Sequence, residues 1–225
     1  MKLLFITLLL ILSDFSFAKV SEKNANPGIN RHYEGTTHQE WVGVFENDGR
    51  EVYSERHAVV EALQLKPGLD VADIGAGTGF YSLLFAKEVG PTGKVFAVDI
   101  AEDFLTGINR LAKEQKLKNI HTILSNQKDT LLPANSIDLA FVCATYHHFE
   151  YPKTTLASIH RALRPGGKLV IIDFRKQEDI SSGWVMSHVR SDKHAVIKEI
   201  EPTGFKFESE SEILKSNYFL WFEKK

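Results

Sequence analysis

From residue 67 onward the chain alternates between two textures. Short runs that are apolar on both faces, LDVADI (69–74), KVFAVDI (94–100), IHTIL (120–124), SIDLAFVC (136–143) and GKLVIIDF (167–174), predict strands. Between them, Phe80 to Val89, Phe104 to Lys116 and Thr154 to Leu163 carry apolar residues at helical spacing. Strands without a polar face, separated by helices, are the pattern of a parallel sheet covered on both sides. Gly90-Pro91-Thr92-Gly93 and Arg164-Pro165-Gly166-Gly167 read as turns that stop the preceding helices. After a polar stretch, a helix is expected near Asp192 to Ile200, and FKFESE (205–210) and NYFLWFE (217–223) as an antiparallel edge pair. Ahead of the core, Gln39 to Leu65 predicts one or two helices ending before Lys66-Pro67-Gly68. No internal repeat is visible. The pattern predicts one doubly wound α/β domain over residues 38–225, with a helical segment at 38–66 and an α/β core at 67–225.

The first residues have another pattern. Lys2 precedes an apolar run from Leu3 to Leu12 broken only by Thr7, and the stretch ends Ser16-Phe17-Ala18. A positive start, a run of about 10 apolar residues and small residues at a cleavage point mark a secretory signal. The run is about half of what a spanning helix needs. Residues 1–18 are therefore expected to be a signal peptide, and 19–37, polar and holding Pro27-Gly28, a flexible lead-in. The mature chain is expected in the periplasm or secreted, without stable membrane insertion; an uncleaved signal would act as an anchor.

Composition narrows the partners. A formal net charge of −2 gives no basic field for a polyanion, so nucleic acid is not expected as a partner. Cys143 is the single cysteine, which rules out an intramolecular disulfide and cysteine-rich metal sites. The sequence leaves the oligomeric state open.

The stretch VADIGAGTGF (71–80) asks what its glycines hold. Gly75, Gly77 and Gly79 form G-x-G-x-G, not the G-x-G-x-x-G of pyrophosphate loops, which weighs against a nicotinamide dinucleotide. A glycine turn between a strand and a helix lets backbone N–H groups and the helix dipole approach a ligand. Asp73, just ahead of the loop, would repel a pyrophosphate and attract an ammonium. Asp99, at the end of the second strand, is placed to accept hydrogen bonds from ribose hydroxyls. A ligand with a ribose, a positive end and no phosphate fits; S-adenosylmethionine is such a molecule.

DIGAGTGF, the VFAVDI strand end, SIDLAFVCATYHHF and RALRPGGKLVIIDF together resemble class I S-adenosylmethionine-dependent methyltransferases of the small-molecule, ubiquinone-biosynthesis-like kind, from about residue 45 to 225. The resemblance implies a Rossmann-like, seven-stranded sheet with its last strand antiparallel, S-adenosyl-L-methionine as cofactor and a small-molecule methyl acceptor. It implies that Gly75, Gly77 and Gly79 line the cofactor, with Asp73 near its amino-acid end and Asp99 on the ribose. Many relatives carry an acidic residue near Asn126 for the adenine amino group; here Asn126 and Asp129 stand in that loop. Cys143-Ala144-Thr145 replaces the polar residues often found at the fourth strand end.

Donor sulfonium activates its own methyl group, so the protein mainly binds, orients and excludes water. His147 and His148, after the fourth strand, are the candidate catalytic residues, able to take a proton from a hydroxyl, amine or thiol. No third metal ligand stands near them in sequence, so no metal site is expected. Arg190 is a candidate for holding an anionic acceptor, Ser191 and Asp192 for capping the next helix, and Trp41, Phe45 and Tyr53 for a lid. Within the family, ATYHHF lacks the Pro-Pro-aromatic motif of DNA amino-methylating enzymes, Cys143 lacks the proline of cytosine-C5 enzymes, and Ala144 stands where metal-dependent catechol-type enzymes need a carboxylate. The other reading is an exported, non-catalytic protein of the same fold that binds an adenosyl or other small ligand.

Overall fold

The computed structural model describes residues 22–225, so the expected signal peptide lies outside the described residues. The N-terminal segment forms three short helices, α1 (His38–Phe45), α2 (Glu51–Ser54) and α3 (Arg56–Ala62). The core follows as β1 (Asp70–Ile74), α4 (Phe80–Val89), β2 (Lys94–Asp99), α5 (Glu102–Glu114), β3 (Ile120–Leu124) and β4 (Ile137–Cys143). It continues through α6 (Pro152–Ala162), β5 (Leu163–Phe174), α7 (Gly183–His188), α8 (Lys193–Ile200), β6 (Phe205–Glu210) and β7 (Asn217–Lys224). The strands form one seven-stranded sheet in the order β3-β2-β1-β4-β5-β7-β6. The first five strands are parallel, and β7 runs antiparallel between β5 and β6. This is the expected Rossmann-like architecture with its antiparallel last strand.

Period-two alternation inside the buried strands assigns the two faces. Val71, Val95, Phe141 and Val170 point to the face covered by α3 and α4, where Val59, Phe85 and Val89 meet them. Ala72, Val98, Val142 and Ile171 point to the face covered by α6 and α8, through Leu156, Ile159, Val196 and Ile200. The alternation sends Asp73 toward α4, so its polarity is a feature of one face at one strand end. Among the described residues, no helix is long and apolar enough to cross a membrane.

Three local readings change. Residues 164–167 do not end the helix as a free turn: α6 stops at Ala162 and the Arg164-Pro165-Gly166-Gly167 segment runs inside β5. The register against β4 shifts there, between Ile137 and Leu139, and Gly166 at φ 74° supplies the conformation that absorbs the extra residues. α7 falls in the stretch read as merely polar, started by Ser182, whose side chain accepts from the Val185 N–H at 3.3 Å. Residues 22–37, expected as a flexible lead-in, lie against the sheet's loops: Ala25 N–H donates to the Glu150 carbonyl at 2.8 Å, and Asn30 is buried.

Candidate functional site

Strand order reverses direction around β1, because β2 and β3 lie on one side and β4 and β5 on the other. A crevice opens at such a point outside the carboxyl ends of the strands. Here it is a cavity of about 810 Å³, within the range of small-molecule and cofactor sites.

On the β1–β2 side the glycine loop shapes the wall. Gly75, Gly77 and Gly79 all have positive φ, 74°, 55° and 84°. A Cβ on Gly75 would sit 2.2 Å from the Thr145 side chain, and one on Gly79 2.4 Å from Ile108. Gly75 and Gly77 line the cavity, whereas Gly79 does not: it begins α4 in the left-handed conformation and lets that helix pack close to α5. Asp99 lines the cavity and accepts from Gly77 N–H at 2.8 Å and Ala101 N–H at 2.9 Å, one bond per oxygen. Each oxygen keeps a lone pair for a ligand hydroxyl. Burial raises the Asp99 pKa, while those two N–H bonds oppose the rise. Asp73, 3% exposed, accepts from Ser82 Oγ at 2.6 Å. Burial pushes its pKa up to about 7, and the Asp99 charge adds to the rise. A carboxyl so poised welcomes a cationic group, which would repay its lost solvation.

Asn126 also lines the cavity, but its side-chain oxygen accepts from the Lys128 and Asp129 N–H groups at 2.9 and 3.0 Å. What remains is a donor, which suits an adenine ring nitrogen rather than the amino group. Asp129 faces away and pairs with Arg161 at 2.8 Å.

The β4–β5 side is built around imidazoles. His147, 3% exposed, follows β4 on a single 3-10 turn. Its Nδ1 lies 2.8 and 3.0 Å from the two carboxylate oxygens of Asp173, and its N–H donates to the same group at 3.0 Å. Asp173 is wholly buried; burial pushes its pKa up, but His147 and the N–H donors outweigh this and hold it below the usual carboxylate range. An ionised partner at Nδ1 fixes the tautomer, leaving Nε2 as the bare nitrogen. His148 places Nδ1 3.1 Å from Asn30 Oδ1, and Asn30 is itself held by donating to Gln127 at 2.9 Å and the His148 carbonyl at 3.0 Å. Burial, with the neighbouring imidazoles, lowers the His148 pKa to about 3, so this ring is neutral. His188, from the end of α7, brings a third ring beside them.

Arg50 is a further cavity-lining group that sequence patterning did not single out. It lies over the Phe45 ring at 5.0 Å, donates to the Phe45 carbonyl at 3.2 Å, and has no carboxylate partner among the described residues. Burial lowers its pKa. Next to it, Glu51 accepts from the Lys215, Ser216 and Asn217 N–H groups at 2.6, 2.9 and 3.0 Å, pinning this helical segment to the start of β7. Asn217 lines the cavity with a buried, unpartnered side-chain nitrogen.

Of the expected lid, Trp41 and Phe45 do line the cavity, in an aromatic cluster with Tyr33 and Phe104. Tyr53 instead packs on Phe80 outside it. Arg190 does not reach the cavity: it pairs with Glu199 at 2.5 Å, a bond shared with the Tyr146 hydroxyl at 2.7 Å. Asp192 caps α8 as expected, accepting from His194 and Ala195 N–H at 2.8 and 3.0 Å.

A family model described as methyltransferase domain matches residues 65–218, the whole sheet up to β7. The chain belongs to the methyltransferase domain family. It is 34% identical over 123 residues to a ubiquinone/menaquinone biosynthesis C-methyltransferase of Hydrogenovibrio crunogenus, covering 54% of this chain and 48% of that one. It is 30% identical over 129 residues to a demethylmenaquinone methyltransferase of Listeria welshimeri, covering 57% and 54%. The chain thus spans about half the length of the curated relatives it matches. The crystal structure of a SAM dependent methyltransferase from Aquifex aeolicus superposes with a TM-score of 0.75 at 25% identity, covering 84% of this chain and all of that one. The fold of this methyltransferase-family chain is accordingly the class I methyltransferase one.

Proposed function

We propose that this chain is an S-adenosylmethionine-dependent methyltransferase acting on a small-molecule acceptor. The observation that carries this reading is the convergence of Asp73, Gly75, Gly77 and Asp99 on the same cavity that His147 and His148 enter from the other side of β1. In this reading Asp99 holds the ribose hydroxyls, and the loop backbone lies along the cofactor. Asp73 balances the ammonium and Arg50, lacking a carboxylate of its own, takes the cofactor's carboxylate. When bound, the cofactor supplies an activated methyl group. The protein's task is then to hold the acceptor in line, keep water out and accept a proton where the acceptor carries one. His147, oriented by Asp173, presents Nε2 for that purpose, and the aromatic cluster of Tyr33, Trp41 and Phe45 closes the other wall. Residues 1–18 are proposed to export the chain, on the strength of their charge, apolar run and Ser16-Phe17-Ala18 end.

The test has two parts. Calorimetric titration of the full chain with S-adenosylmethionine and S-adenosylhomocysteine should give dissociation constants below roughly 100 μM, about −5.5 kcal/mol. Methyl-labelled cofactor should then pass label to the low-mass fraction of a cell extract. No binding by a folded sample would overturn the reading; binding without transfer would favour a ligand-holding protein of this fold.

A further inference from the structure

The third histidine changes what the site can hold. His147 and His148 follow β4, and His188 ends α7, so sequence distance hid a cluster in which one ring nitrogen from each histidine lies within 4.8 Å of the other two. The ring centroids are 4.2 Å apart for His147–His148, 5.1 Å for His147–His188 and 5.3 Å for His148–His188. Among the described residues, no hydrogen bond links these rings to one another, although each is a donor and an acceptor.

Each ring is also fixed from behind. Asp173 accepts a hydrogen bond from His147 Nδ1–H and is itself held by the Phe174 N–H at 2.9 Å. Asn30 faces His148 Nδ1, and Trp184 stacks on His188 with centroids 4.4 Å apart. The Nε2 atoms of His147 and His148 carry no partner among the described residues, and both rings line the cavity with His188. A buried carboxylate directing one imidazole, and an amide oxygen directing another, is how proteins aim histidines at a metal. Three ordinary core histidines would instead bond each other or the backbone.

We propose that His147, His148 and His188 hold a divalent cation of the zinc class on the β4–β5 side of the cavity, with Asp173 and Asn30 as positioning residues. Three neutral imidazoles suit zinc, cobalt, nickel or copper, whereas magnesium and calcium want oxygen ligands. Three protein ligands leave a fourth position, which opens on the cavity and suits a water or an acceptor's oxygen or sulfur. Small ring movements bring nitrogens from within 4.8 Å to the separation that zinc–nitrogen bonds of about 2.0–2.1 Å require. The negative charge of Asp173 offsets part of the cation's. The same Nε2 of His147 cannot both bind a cation and accept a proton, so metal binding would replace the proton-accepting role with coordination.

The experiment uses the full chain, purified without a histidine tag and stripped with a chelator. Zinc is titrated calorimetrically, and cobalt by its visible absorption, which is intense for tetrahedral sites. The expected result is one cation per chain with nitrogen-type tetrahedral absorption. His188→Ala and His147→Ala should each weaken binding at least a hundredfold, and Asp173→Asn about 10–100-fold. A folded chain that binds no stoichiometric cation overturns the proposal, as does binding that survives in His188→Ala. S-adenosylhomocysteine affinity is measured on the same samples. Intact cofactor binding without metal binding sinks the metal site alone; metal binding without cofactor binding sinks the methyltransferase reading alone.

Discussion

The two sides of the cavity are built by different means. On the β1–β2 side Asp73, the glycine loop and Asp99 come from one strand–loop–helix–strand unit, and the backbone does much of the work: Gly77 N–H orders Asp99, and glycines at positive φ shape the wall. On the β4–β5 side five residues from four places, Asn30, His147, His148, Asp173 and His188, meet only because the sheet and α7 bring them together. In the proposed function the first side is a fixed receptor for a ligand with invariant chemistry. The second is a set of side chains on loops, where acceptor chemistry can differ between proteins that share the fold.

If the sides are separable, a substitution on one should leave the other's measurement alone. The largest expected effect is His147→Ala, which should lower label transfer by roughly 10²–10⁴-fold, the usual range for losing a proton-transfer group. Its cofactor dissociation constant should stay within threefold of the parent's. A parallel loss of cofactor affinity would show that the two sides act as one unit. Asp99→Asn should do the opposite. Removing the charge from bonds to ribose hydroxyls costs about 1.5–3 kcal/mol, so binding should weaken about 10–100-fold by calorimetry. Zinc binding should be unchanged.

The same contrast explains what was legible in the sequence. Strands β1 to β4 and β7, the glycine loop and Asp99 could be read because each is a local pattern: an apolar run, a spacing, a strand end. Gly79 was misplaced only in role, since spacing shows that a glycine is required but not whether a ligand or Ile108 demands it. Asn126 was placed at the cavity, yet its oxygen went to its own turn, a competition that Asn routinely enters. Asp173 was hidden in an apolar strand run, where an acidic residue at the carboxyl end of a buried strand was the available signal. His188 stands in the polar stretch ahead of α8, but nothing local ties it to His147 and His148, which lie far away in sequence, and no local pattern marks Arg50 as a cavity residue. Arg190 looked available because its partner, Glu199, sits on α8 and only the fold brings it within 2.5 Å of the segment ahead of that helix.

A third test uses pH to ask whether the β1–β2 side recognises charge. Asp73 has its pKa raised to about 7, so in the free protein it is protonated at pH 5.5 and about half ionised at pH 7. A cationic ligand end binds the ionised form, so part of its binding energy is spent removing that proton at low pH. Affinity for S-adenosylhomocysteine should rise roughly tenfold between pH 5.5 and 7, below the range where an α-amino group of about 7.7–8.0 titrates. Calorimetry in buffers of different ionisation heat should show proton release over the same window. Asp73→Asn should flatten the profile; a slope that persists in that variant would place the titrating group elsewhere.

The smallest expected effect sharpens the comparison by touching neither side. Asp192 caps α8 by accepting from two N–H groups, and α8 carries Glu199, which holds Arg190 and the Tyr146 hydroxyl beneath the histidine loop. Asp192→Ala leaves those N–H groups without a side-chain acceptor at the first turn and should cost about 1 kcal/mol. In a chain of this size that lowers the melting temperature by roughly 2–4 °C. Cap residues act on the helix end and fade within a turn, whereas Glu199 lies two turns further along α8. Cofactor affinity and zinc affinity should therefore both match the parent's. If zinc binding weakened while cofactor binding held, α8 would be part of the support for the imidazole side, and the two sides would differ in stability as well as in construction.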